Sequence, residues 1–227
     1  MNSTERFPGE TILYHAYQDW VLLILILGIL FLIYSYYLKP LYFTRLVNSI
    51  INQSATSKLI TEQNSLTNRI SGSLNLVFYI NSALILFLII QRFNFDIYFT
   101  NYASQLIVLF ISITLYFNLR IILYRFIGWV TDHVDLQIEY TSYWMILNKF
   151  FGLILTPVLF LTLYLPQEHQ IWAIYAGLGI YSLFFLAKLF RGLQLSIKNN
   201  ISLFSIILYL CALEIMPVGM LIKYLAS

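Results

Sequence analysis

The chain has 227 residues, of which 60% are hydrophobic and 10% charged. Soluble domains carry roughly 25% charged residues, so this composition excludes a soluble globular domain and points to a protein that crosses a membrane several times. The net charge of +3 then concerns orientation in a bilayer and gives no argument for nucleic acid, while the one cysteine, Cys211, excludes an internal disulfide framework and any multi-cysteine metal site.

The chain opens on MNSTERFPGE, an acidic stretch with Pro and Gly in place of the basic start of a signal peptide, and no small-residue cleavage site follows. Residues 1–19 are therefore expected to form an extracytoplasmic tail, and residues 20–227 a single transmembrane domain. Six apolar segments are read within it: Trp20 to Tyr37, Leu74 to Ile90, Ala103 to Leu123, Tyr143 to Leu165, Ile171 to Phe190 and Ile201 to Ile222. Each approaches the about 20 residues that a hydrocarbon core of about 30 Å requires. Backbone groups in lipid need internal partners, so the expected fold class is all-α: a polytopic bundle of about six transmembrane helices.

Between the first two segments lies the largest loop, residues 38–73. Phe43, Leu46, Val47, Ile50 and Ile51 recur at helical spacing, with Thr44, Arg45, Asn48, Ser49 and Asn52 opposite. This pattern predicts a short amphipathic helix on the cytoplasmic membrane surface. The stretch NQSATSKLITEQNSLTNRISGS after it is either a linker or an extension of the second spanning helix.

Lys39, Arg45, Lys58, Arg69, Arg120, Arg125, Lys149, Lys188, Arg191 and Lys198 gather on one side of the expected topology, against Arg6, Arg92 and Lys223 on the other. By the positive-inside rule both termini are then extracytoplasmic. Trp20, Tyr36, Tyr37, Tyr98, Trp129, Tyr143, Trp144, Tyr164, Trp172 and Tyr224 lie near segment ends, as interfacial anchors do. Hairpins 3/4 and 5/6 look loosely alike, with LYRFIG and TPVLFL matched by LFRG and MPVGML. Their spacings differ, and common membrane demands explain the likeness better than duplication.

No GxSxG, HExxH, Walker A, GxGxxG or CxxC is present, so nothing points to an enzyme. No cofactor is called for. His15, His133 and His169 all fall outside the apolar segments, which argues against haem ligation in the membrane interior. In TDHVDLQIE, a helix would align Asp132, Asp135 and Glu139, a pattern more typical of a solvated face than of a metal site.

The embedded polar groups carry more information. Thr114, Asn118 and Arg125 project within about 40° of one another on the third segment, and Asn148, Gly152 and Thr156 line up on the fourth. Glu214 stands inside the sixth segment, about 20 Å from its cytoplasmic end, with Pro217 one turn on. Gly28, Ser112, Thr114, Thr156, Pro157, Gly177 and Gly179 fall at a similar depth. Pro217 and Pro157 leave the carbonyls of Leu213 and Leu153 without their helical donors. A charge facing lipid is strongly disfavoured, so Glu214 is expected to face the bundle, either protonated or held by a hydroxyl donor. Glu214, Pro217, Thr114, Asn118, Thr156 and Pro157 form the candidate functional set.

The ending LYLCALEIMPVGMLIKYL, preceded by FFLAKLFRGLQLSI, resembles the C-terminal signature of an uncharacterised family of multi-spanning inner-membrane proteins of the Bacteroidota, a domain of unknown function. The resemblance implies a bacterial inner membrane and brings no activity, substrate or catalytic residue with it. Three functions stay open. The first is a small transporter or channel component in which Glu214 changes protonation or binds a cation. The second is a non-catalytic partner or assembly subunit packed against another membrane protein or a second copy. An intramembrane enzyme acting on lipid ranks last, for want of a visible nucleophile, metal site or phosphate cradle.

Overall fold

The computed structural model describes residues 8–51, 65–92, 101–130 and 134–198, all but a few of which are helical. Six helices follow in chain order: α1 (Pro8–Leu38), α2 (Pro40–Ile51), α3 (Ser65–Arg92), α4 (Tyr102–Val130), α5 (Val134–Tyr164) and α6 (Gln167–Lys198). Five of them contain stretches long and apolar enough to cross a membrane: Asp19–Leu38, Ser65–Arg92, Tyr102–Phe126, Ile138–Tyr164 and His169–Gly192. The fold is an all-α membrane bundle. The expected sixth span, with Glu214 and Pro217, lies outside the described residues.

Apolar length makes these helices, and prolines punctuate them. Pro8 and Pro40 open α1 and α2, where a missing N–H is one of the four that a helix start leaves over in any case. Pro166 stands just before α6, its carbonyl accepting from the backbone N–H groups of His169 and Gln170. Hydroxyls within the spans fold back onto their own helices. Ser35 donates to the Phe31 carbonyl, Thr114 to Phe110 and Thr162 to Val158, so none of these donors is left open towards lipid.

Helices α3 and α5 form the central pair, and α1, α4 and α6 pack around them. In the spanning stretches of α3 and α5 56% of residues are buried, against 22% in α1 and α4 and 17% in α6, so α3 and α5 are the inner helices of the described bundle. The core runs through Val21, Leu25, Phe78, Leu84, Phe87, Phe117, Phe151, Leu155 and Leu159. Its aromatic members meet edge to face: the Phe78 ring lies 4.9 Å from Phe117 and 6.0 Å from Phe151.

The amphipathic helix predicted after the first span is present as α2, with a rotated inner face. Tyr42 and Leu46 are buried against Ile70, Leu74 and Ile146, Ser49 is buried as well, and Val47 is exposed. The helix thus packs back on the bundle along positions i, i+4 and i+7, and leaves its Val47 side outward. The second span is longer than its apolar stretch, beginning at Ser65, because Thr67 and Ile70 are buried in this packing. Helix α1 likewise begins at Pro8, inside the stretch expected to be a tail.

Candidate functional site

Two polar regions lie along α5. The first is at its middle. Asn81 of α3, almost completely buried, donates from Nδ2 to the Gly152 carbonyl and to Thr156 Oγ1, both at 2.8 Å. The Thr156 hydroxyl in turn donates to the Gly152 carbonyl at 3.0 Å. The two helices come this close because residue 152 is glycine: a Cβ there would lie 2.8 Å from Phe78 Cα and 3.0 Å from Phe78 N. Gly28 of α1 faces Asn81 Oδ1 from the third side. The expected layer of small residues therefore exists around Gly28, Thr156 and Gly177, all of them buried, while Ser112 and Gly179 are exposed.

Of the sequence-predicted residues, Thr156 belongs to this centre and Pro157 follows it on the exposed side of α5. Thr114 and Asn118 sit on α4 and are spent locally, since Asn118 Nδ2 donates to the Thr114 carbonyl at 2.7 Å and its side is exposed. Asn81, the residue that joins the two central helices, was not among the predicted ones.

The second polar region lies at the basic end of the bundle. Trp144 of α5, 1% exposed, carries the Arg120 guanidinium of α4 at 4.8 Å and the Lys188 ammonium of α6 at 5.1 Å from its ring centroid. Such contacts are worth about 2 kcal/mol or more when desolvated. Lys188 Nζ also donates to Asn148 Oδ1 at 2.8 Å, and Arg120 Nη2 to the Tyr124 hydroxyl at 3.1 Å. Lys149, equally buried, donates to Ser71 Oγ at 2.6 Å. Ser71 is further hydrogen-bonded to the Tyr42 hydroxyl of α2, a phenol pushed above its ordinary range mainly by burial. Tyr140 packs between Tyr124 of α4, with ring centroids 5.5 Å apart, and Gly192 of α6, where a Cβ would meet its ring at 3.3 Å.

Arg191 closes this end. Its guanidinium lies over the Tyr143 ring at 5.1 Å and meets Glu139 at 3.7 Å. Among the described residues, the buried donors without a hydrogen-bond partner include Trp144 Nε1, Thr141 Oγ1 and Arg191 Nε. Of the basic residues read from the sequence as markers of one membrane side, Arg120, Lys149, Lys188 and Arg191 are thus packed into the bundle, while Arg45, Arg69 and Arg125 are exposed. The interfacial belt is correspondingly smaller than expected: Trp20, Tyr36, Tyr37, Trp129, Tyr164 and Trp172 are exposed, whereas Tyr143 and Trp144 are buried as platforms for cations. Tyr98 and Tyr224 lie outside the described residues.

Asn148, Gly152 and Thr156 share one face of α5 at intervals of four residues, so the two regions are linked by a continuous polar line. At 1.5 Å per residue the line from Trp144 to Thr156 is about 18 Å long. No curated protein and no solved structure matches the chain. Over residues 21–225 the chain matches, and so belongs to, the family described as Domain of unknown function (DUF4271).

Proposed function

We propose that the protein is a small transporter or channel component of a bacterial inner membrane, with both termini extracytoplasmic and Glu214 as its protonatable group. The observation that carries this reading is the polar line on α5, from Asn148 through the Gly152 carbonyl to Thr156. It places hydrogen-bonding groups through the buried part of the bundle, which a bend of α5 at this level would open to a solute or proton. Pro157 follows directly on Thr156, and the donor it lacks makes α5 easier to bend there. Pro217 lies three residues after Glu214 in the sequence.

The test is flux. Full-length protein in proteoliposomes with an internal pH dye is expected to dissipate an imposed proton gradient, and Glu214→Gln to abolish this at equal protein incorporation. Equal rates for protein-containing and empty vesicles would contradict the reading.

A second reading, a non-catalytic subunit of a membrane complex, draws on the same centre. Asn81 uses its amide donor on two acceptors of α5, and Gly152 leaves no gap against Phe78, which suits a fixed joint. Purification in mild detergent with a stoichiometric partner would favour it, and a solitary active chain would count against it.

A further inference from the structure

Arg191 is poorly satisfied for a cation this little exposed. Its side chain is 14% exposed, yet Nη1 reaches Gln194 Oε1 only at 3.4 Å and Nη2 reaches Glu139 Oε1 only at 3.7 Å. Its Nε has no hydrogen-bond partner. Charge-assisted hydrogen bonds run at about 2.7 to 2.9 Å, so both contacts are long and weak. A guanidinium presents five N–H donors in a planar fork suited to carboxylate and phosphate oxygens, and burying such donors without good acceptors is costly.

The surroundings favour an anion with several oxygens. Lys188 lies one turn back on α6, and Arg120 reaches the same Trp144 ring from α4. On α5, the Trp144 indole N–H and the Thr141 hydroxyl, three residues apart, are both buried and without hydrogen-bond partners. Glu139 has the right charge but stands 3.7 Å from Nη2, with its side chain 37% exposed. The spanning stretch of α6 ends at Gly192, which puts Arg191 at the level of lipid headgroups.

We propose that this end of the bundle binds a phosphate-bearing anion, with Arg191 as its bidentate anchor, Lys188 and Arg120 as the supporting charges, and Glu139 as the carboxylate that the anion displaces. The site stands whether or not anything crosses the membrane. Its ligand chemistry is shared by an anionic lipid headgroup and by free inorganic phosphate, which the test separates.

Full-length protein in detergent micelles is offered phosphatidylglycerol and phosphatidylcholine at equal mole fraction, and the lipid retained is counted by native mass spectrometry. The wild type is expected to retain phosphatidylglycerol about tenfold better, the scale of one charge-assisted contact. Arg191→Gln removes that preference. Glu139→Gln, which deletes the competing carboxylate, raises it about threefold, an opposite sign that a folding defect does not produce. Displacement of the lipid by millimolar inorganic phosphate assigns the site to free phosphate, and persistence of the lipid assigns it to the headgroup. Retention by Arg191→Gln equal to that of the wild type, or a lowered preference in Glu139→Gln, overturns the proposal.

Discussion

The middle of α5 and its basic end are about 12 Å apart along one helix, and they treat polar groups in opposite ways. In the middle, Asn81, Thr156 and the Gly152 carbonyl form a small closed set of hydrogen bonds, with the Phe78 backbone pressed against the glycine. At the basic end, cations rest on aromatic faces, and the donors of Trp144, Thr141 and Arg191 Nε stay without acceptors. Polar groups removed from water either close on one another or keep capacity for something else. The first arrangement is that of a joint between helices and the second that of a receiving site.

The comparison can be broken at the joint first. Gly152→Ala places a Cβ against main-chain atoms of Phe78 that no rotamer change can move, so α3 and α5 must separate. The expected loss is about 3 kcal/mol, the upper part of the usual range for overpacking, read by unfolding in mixed detergent micelles. Trp144→Leu keeps an apolar side chain but removes the ring that Arg120 and Lys188 share. A loss of about 2 kcal/mol is expected, with little dependence on salt because both cations are buried. Asn81→Leu should cost about 1 kcal/mol, and a cycle with Thr156→Val should return a coupling of about 0.6 kcal/mol, as interhelical hydrogen bonds in membranes do. No coupling in that cycle would remove the joint from the account.

The smallest effect is at Tyr42, which links α2 to the basic end through Ser71. Tyr42→Phe should cost about 0.5 kcal/mol at neutral pH, the low end for one hydrogen bond. Burial holds the Tyr42 phenol above its ordinary value of 10.0, so the folded chain keeps that proton where the unfolded chain has lost it. Its stabilisation is complete below pH 10.0 and declines as pH rises through the higher folded value. The wild type should therefore lose stability above pH 10.0 more steeply than Tyr42→Phe, and parallel profiles would place Tyr42 in water.

Five spans and the amphipathic helix after the first were legible in the sequence because lipid demands long apolar runs, and because a two-faced helix carries a 3.6-residue period. The rotation of α2 was not, since Tyr42 and Ser49 look polar yet are buried. Asn148, Gly152 and Thr156 were visible as a stripe. Their partner Asn81 was hidden because one amide in an apolar run gives no spacing to read, and it acts only through a helix 71 residues away. Lys149 in MILNKFF and Lys188 in FFLAKLF did carry a signal, a cation with apolar neighbours on both sides. Loop-side counting used them for orientation alone and missed that Trp144 holds Lys188, and Ser71 holds Lys149, inside the bundle.

The most direct test of the contrast between joint and receiving site is deuterium exchange of the full chain in nanodiscs, with phosphatidylcholine alone and with phosphatidylglycerol added. The account predicts slower exchange around residues 188–194 and 139–144 when the anionic lipid is present, with no change around residues 78–84 and 150–158. A change at the middle of the bundle, or none at the basic end, would contradict it.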